Sequence, residues 1–559
     1  MKRNLVKKIF AGVLFFVMPF FLFSETVSSM QLFKSDSWIY ESLDKLGRES
    51  GVVSVTFNAP LSAGELRFFF KQIDQDKLSE SGKILYDQVE EFLYEKPKNF
   101  SFSSFFVSPN LRVTPEFYFR TNKNIPLTHE YYYKDNSVAA DVMLGFSDYA
   151  LFDMEVFLGK NHGAMHKPDN FTNLIFDIGD AEFQTPTWTN FTAGYNFKDW
   201  GINFTIAKEG LQVGRSLTGS IVYNDTFKTD MYGQLNIFTD VFKFTQNVVE
   251  VARDKFYYNH QFEVRLFKKL KINVGEAVLV YGSFEPRFLI PLTMYHSYAA
   301  WHDYDEAGND YYSESNFCNT MNIMLEYAPF ANTRFYIYYM QNELQVAWEA
   351  AETPNSFGFQ VGAELSFNAP ANGYWNVNAE WVWTTPYLYV KHGAPWSLYR
   401  DYHPNHTAGT GGHVYSWIGS PFGPDCMAGA LKFGYEKPGK WRADLQWVFS
   451  AHGEKDFDMF NQTITDGGKE WYYYYPAVIY YHDTDPDKRE AAKKDALNLL
   501  PSGTVEYKNE VTLSGTYTFN KHFSLSGEAV YIFAYNFDNI SGNFQQGAQF
   551  SISGTYTLF

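Results

Sequence analysis

The stretch NKHFSLSGEAVYIFAYNF, Asn520 to Phe537, decides the fold. Phe523, Leu525, Gly527, Ala529, Tyr531, Phe533, Tyr535 and Phe537 recur at every second position, with Ser524, Ser526, Glu528 and Asn536 among the residues between. A period of two puts neighbours on opposite faces of a strand, so this strand has an apolar face and a polar one. The fold follows from what covers the apolar face.

The pattern recurs along the chain. Phe357, Phe359, Val361, Ala363, Leu365 and Phe367 alternate with Gln360, Glu364 and Ser366. Trp375, Val377, Ala379, Trp381 and Trp383 alternate with Asn376, Asn378 and Glu380. Met427 to Tyr435 and Trp441 to Phe449 flank the turn EKPGK, and Val505 to Phe519 lead into the opening stretch. The 559 residues include 54 Phe and 41 Tyr, and 19% are aromatic, yet mean hydropathy is −0.32. Apolar groups are therefore dispersed among polar ones. A sandwich would hide these ladders against a second sheet. Runs of about ten residues, joined alternately by tight turns and long connections, fit a closed barrel in lipid with a polar lumen. The expected fold is an all-β transmembrane barrel of about 16–18 antiparallel strands over residues 99–559.

Short turns (EKPGK, Asn520-Lys521, APANG) are expected at the periplasmic end. Long connections, Trp301–Asn316, Thr384–Asp425 and Asp466–Gly503, are expected outside, the last with a short helix in DPDKREAAKKDALNLL. The chain ends in Ala548, Phe550, Ile552, Gly554, Tyr556 and Leu558 on one face. That strand resembles the C-terminal signal of bacterial outer-membrane proteins, which makes outer-membrane lipid and the assembly machinery expected partners. Phe559 departs from the signal by falling on the opposite face.

Residues 1–24 read as a signal peptide: Lys2, Arg3, Lys7 and Lys8, then apolar Ile9 to Phe23, then Ser24. No later uncharged apolar run reaches the length of a spanning helix, about 18 residues. Residues 25–98 read as a periplasmic module of three short helices. Trp38, Ile39, Leu43 and Leu46 have helical spacing before Gly51; Ser62 and Glu65 form a capping-box pattern; Ile84, Leu85, Val89, Phe92 and Leu93 mark the third.

The net charge of −17 argues against nucleic acid as a partner. Cys318 and Cys426 are too few for a disulfide framework. Each opens a strand after a long connection, so a single bridge stays open if their Cα atoms lie within about 7 Å. Motifs for hydrolases, zinc sites and redox pairs (GxSxG, HExxH, CxxC) are missing, so no enzyme and no cofactor are expected. GYEKPGKW has phosphate-loop spacing but Trp441 where a hydroxyl is needed, and sits in a hairpin. Asp303, Asp305, Gly308, Asn309 and Glu314 match calcium-loop positions, but Ala307 breaks the ligand set, which favours a solvated acidic loop. His403, His406 and His413 fall in a polar, Gly-rich loop. In GSFEPRFLIPLTMYH, Pro286 and Pro291 interrupt strand pairing, and the segment is expected to bend or fold inward with a Glu285–Arg287 pair. A bulged strand entering an external loop is the alternative.

The helical stretches SWIYESLDKLGRESG, APLSAGELRFFFKQID and LSESGKILYDQVEEFL, then a long aromatic barrel with PRFLIPLTMYH midway, resemble capsule-assembly proteins of the Wzi type. The resemblance covers the whole layout. It implies an outer-membrane barrel with helices packed at the periplasmic side, and a lectin-like role towards exported polysaccharide or capsule. It carries over no individual site residue.

The candidate ligand residues are Tyr387, Tyr389, Trp396, Tyr399, Arg400, Tyr402 and Trp417 in the long loop, with Tyr415 beside them. Aromatic faces with polar neighbours suit the C–H patches and hydroxyls of sugars; the same residues would also serve as an upper girdle. A porin-like channel lined by Glu364, Glu380, Lys432 and Glu506 remains the alternative function, and a barrel enzyme is a third.

Overall fold

The computed structural model describes residues 27–558 except 54–55, 95–99, 103–104, 129–133, 168, 185–187, 228, 298–316, 346–351 and 403–412. The signal peptide, the Asp303–Glu314 loop, His403, His406 and Phe559 lie outside the described residues.

Eighteen antiparallel strands close on themselves, each paired with its neighbours in chain order. They are β1 (Phe105–Val113, continued by Glu116–Arg120), β2 (Val138–Phe146), β3 (Ala150–Lys160), β4 (Thr189–Asn196), β5 (Trp200–Glu209) and β6 (Asp230–Thr239). Next come β7 (Phe242–Ala252), β8 (Lys255–Leu266), β9 (Leu270–Tyr281), β10 (Phe317–Tyr327), β11 (Thr333–Glu343) and β12 (Ser356–Ala369). The last six are β13 (Gly373–Thr384), β14 (Cys426–Lys437), β15 (Trp441–His452), β16 (Glu506–Asn520), β17 (Phe523–Tyr535) and β18 (Phe544–Thr557). The seam joins β18 to β1 through Phe550↔Phe119 and Tyr556↔Val113. Closure leaves no open edge, as hydrocarbon requires.

The ladders face outward. Val361 and Trp381 pair on the outer face and are exposed, while their neighbours Gln360 and Val382 pair inside and are buried. Rings gather near the short turns, with Phe197 stacked on Trp200 at 4.2 Å and Tyr435 on Trp441 at 4.7 Å. Near the long loops, Tyr535 meets Phe544 at 4.9 Å. These pairs form the girdles expected of such barrels. The opening stretch follows the rule only in part. Leu525, Tyr531 and Tyr535 are exposed, but the inward residues in its upper half are the apolar Val530, Ile532 and Ala534. They pack with Ile125 and Phe537, the latter in a turn beyond the strand.

The bore is not simply watery. Along β5–β10 its inward positions form a buried amide ladder: Asn236 donates to Asn203 (2.8 Å) and Gln234 (2.7 Å), Gln234 to Asn247 (2.8 Å), and Asn273 to Asn322 (3.1 Å). These contacts satisfy polar groups that would otherwise cost free energy on burial.

Three helices, α1 (Trp38–Ser50), α2 (Ala63–Phe70) and α3 (Glu80–Tyr94), pack across the short-turn end. Ser62 and Glu65 form a capping box on α2, and Gly51, at φ 78°, ends α1 in the left-handed region. Ser81 donates to the Gly373 carbonyl (3.1 Å), and the Asn332 amide donates to the Arg48 carbonyl (2.9 Å). A row of alternating charges ties α1 to the wall. Arg48 and Arg334 each bond Glu364 at 2.6 Å; Arg334 bonds Glu326 at 2.6 Å; Lys271 bonds Glu326 at 2.9 Å. The strand Asn58–Ala59 enters the bore and pairs with Gln212–Val213 of the β5–β6 connection. Phe57 is buried there, with the Lys271 ammonium 3.7 Å from its ring centre.

Cys318 and Cys426 are both buried and free, so the open question of a bridge is answered against one. The inward fold expected around Pro286 and Pro291 is corrected. Residues 284–296 lie against the outer wall, where Glu285 pairs with Arg287 at 2.7 Å. The bore near these strands is already filled, and the outer wall here carries polar groups that need partners.

A candidate ligand cavity in the lumen

The long connections fold back into the barrel mouth. Residues 385–402 and 414–425 meet the β5–β6 connection and the segment Phe457–Val478 in one apolar cluster. The seven candidate ligand residues belong to this region, and most already have protein partners. Tyr387 is buried and donates to Asp495 Oδ2 (2.5 Å). Burial pushes its phenol pKa well up. Tyr389, also buried, donates to the Ile221 carbonyl (2.6 Å) and accepts from the Ser420 amide (2.8 Å). Trp417 stacks on Phe457 at 4.4 Å, and its Nε1 donates to Asp456 (3.1 Å).

Arg400 is buried with Asp230, its Nε and Nη2 donating at 2.7 and 3.1 Å, and it lies 4.4 Å from the Tyr223 ring centre. Burial alone would lower its pKa; the Asp230 carboxylate outweighs that and raises it. Tyr399 is half-buried, with the Lys255 ammonium 3.4 Å from its ring centre. Trp396 is half-buried beside His392 (5.3 Å) and Tyr281 (6.3 Å). Tyr402 is half-buried against Phe227 at 5.6 Å. Of the four charges expected to line a channel, Glu364 is engaged by the arginines above. Glu380 accepts from the Leu217 (2.9 Å) and Thr218 (3.1 Å) amides, Lys432 faces Asp444 (3.6 Å), and Glu506 accepts from the Asp538 amide (2.8 Å).

Space remains on the other side of the bore. A cavity of about 610 Å³ lies between the N-terminal segment, the inner wall of β1 and β3, and the loop cluster. The segment before α1 supplies Lys34 and Asp36, and the first residue of α1 supplies Trp38; the wall supplies Arg112, Glu155 and Phe157; the connections supply Trp188, Phe227 and Tyr402. Glu155 is fixed by Lys34 (3.0 Å) and Arg112 (2.8 Å). Trp188 donates through Nε1 to Asp153 (2.7 Å), with the Lys34 ammonium 5.2 Å from its ring centre. Trp38 is 45% exposed, so an aromatic surface is available here that Tyr387 and Tyr389 lack. Thr555 of β18 lines this cavity, and a second one of about 220 Å³ meets Ser553, Ser551, Ser526 and Thr516. The open side of the bore is thus walled by hydroxyls together with the charged Glu116, Arg442, Asp444 and Glu528.

Tyr402 is the candidate residue that the structure brings to this cavity. The sequence reading missed Trp38, whose helical spacing marked it as a packing residue, and Trp188. The available signal for Trp188 was a lone indole in the polar stretch TPTWTN.

No family model and no curated protein matches the chain. Among solved structures it is similar to Wzi of Escherichia coli, an outer-membrane protein involved in group 1 capsule assembly and a carbohydrate-binding β-barrel. The TM-score is 0.54 at 11% identity, over 95% of this chain and 99% of that one. The chain has the outer-membrane β-barrel fold. OprD of Pseudomonas aeruginosa is similar at TM-score 0.41 and 11% identity, over 81% of this chain and 95% of that one. OmpT of Vibrio cholerae gives 0.31 and 10%, over 82% and 100%.

Proposed function

We propose that this outer-membrane barrel binds exported surface polysaccharide in the lumenal cavity, with the helical module on the periplasmic side. The supporting observation is the cavity itself. The exposed face of Trp38 and the ring of Tyr402 border it together with Lys34, Arg112 and Thr555 of β18. Ring faces match the C–H patches of a sugar, and hydroxyls and charges match its polar rim. Wzi, the similar barrel, is carbohydrate-binding, which supports the same reading. The role is one of binding, without catalysis.

The test is titration of the detergent-solubilised protein with oligosaccharides cut from the producing cell's own exopolysaccharide. Trp38→Ala and Tyr402→Ala are each expected to weaken binding about tenfold, the scale of losing one ring contact of about 1–2 kcal/mol. Unchanged affinity in both variants would overturn the assignment. No glycan binding together with a large, steady conductance would instead favour a porin-like channel.

A further inference from the structure

The outer wall carries one row that does not suit lipid. Gln246, His260 and Glu276 stand side by side at the middle of β7, β8 and β9, paired Gln246↔His260 and His260↔Glu276. The same row continues through Leu235 to Phe204 on one side and to Met321 on the other. Phe204 and Met321 are exposed, which fixes the whole row on the outward face. An amide, an imidazole and a carboxylate would therefore face hydrocarbon, where an unpartnered polar group is costly.

The chain after β9 offsets much of that cost. It turns through Pro286–Leu289 and lies back over the row. The Tyr295 and His296 amides donate to Glu276 at 2.8 and 2.5 Å. Gln246 Nε2 and the Tyr295 hydroxyl both donate to the Phe288 carbonyl at 3.0 Å. The Tyr295 ring lies 4.4 Å from the His260 ring, and Phe288 and Tyr295 bury themselves on Tyr258, Val278 and Val280. The other side of the segment exposes Leu289, Ile290, Leu292 and Met294.

We propose that residues 284–296 form a membrane-embedded flap. Its underside bonds Gln246 and Glu276 and covers His260 with the Tyr295 ring, and its apolar ridge docks in the acyl chains of the surrounding lipid. The occupant follows from position: the row sits at mid-strand, level with the lipid-facing Phe204 and Met321. A groove of about 510 Å³ runs beside the flap between Ile206, Met231, Phe284 and Leu289, a shape suited to one acyl chain. Glu250, which also borders it, lies towards the Arg253-Asp254 turn at the long-loop end, where headgroups would be.

The test uses the full chain in phospholipid nanodiscs, with a nitroxide on Leu292→Cys and oxygen as the lipid-soluble relaxant against a nickel chelate in water. Both native cysteines are buried, so labelling is directed to the new site. Phe204→Cys is the lipid reference and Lys494→Cys, on a loop helix, the aqueous one. The oxygen-to-nickel ratio at Leu292 is expected to match Phe204, several-fold above Lys494. A ratio nearer that of Lys494 overturns the proposal. A second label at Met294→Cys repeats the comparison if the first variant fails to fold.

Discussion

Arg400 and Asp230 illustrate what a single residue does here. Both are buried, and each is the other's main partner. Breaking one side of such a pair strands the other charge, at a cost of about 3–5 kcal/mol. Arg400→Ala is therefore expected to lower the thermal unfolding midpoint sharply, while Arg400→Met combined with Asp230→Asn recovers much of it. A midpoint unchanged in Arg400→Ala would show the pair to be dispensable. The sequence made this residue visible but not its role. A run of Tyr, Trp and Arg looks the same whether it forms a binding surface or a satisfied inner cluster. The difference lies in the covering segments: the β5–β6 connection and Phe457–Val478 reach Tyr389 and Trp417 only through the fold. Trp38 is the converse case, an indole at a helical apolar position whose surface borders a cavity.

At the scale of elements, local chemistry was legible and docking was not. Ser62 with Glu65, and Gly51 after α1, mark helix ends by backbone physics alone, and the caps stand where those residues are. Where α1 sits depends on partners far along the chain. Glu41 bonds Arg442 at 2.5 Å. Its partial burial would raise its pKa, but Arg442 and Lys45 outweigh that and hold it below its ordinary value, an effect that solvent tempers because the side chain is 42% exposed. A lowered carboxylate contributes stability above its unfolded pKa and loses it as pH falls through the folded one. The grip of α1 on the wall is expected to hold at neutral pH and weaken under strong acid. Limited pepsin digestion across a falling pH series should show rising cleavage of residues 27–94, with Glu41→Gln flattening the trend. Equal trends in both proteins would remove Glu41 from the account. The flap escaped sequence reading for a related reason. Pro286 and Pro291 announce a break in pairing, but the side to which the chain turns depends on Gln246, His260 and Glu276, each on a different strand.

For the whole molecule, the period of two was enough to read a closed barrel, because each outward ladder repeats in eighteen strands. The filling of the bore was hidden. Inward positions are polar whether they border open space, as Ser551 and Ser553 do beside a cavity, or meet one another, as Asn203, Asn236 and Gln234 do. The charge row from Arg48 to Lys271 gives a handle on the whole assembly. In planar bilayers the native protein is expected to show little steady conductance. Arg48→Glu would set a like charge against Glu364 and is expected to produce frequent openings as α1 loosens. Large, identical conductance in both would mean that the helices leave a free path.

The seam has a temporal side. The ring is complete only where β18 joins β1, so it cannot shut before both strands are in place. Phe57 and the Asn58–Ala59 strand stand inside that ring. A cylinder already shut offers no lateral entrance to a helical bundle, so its contents and its rim must come together as it closes.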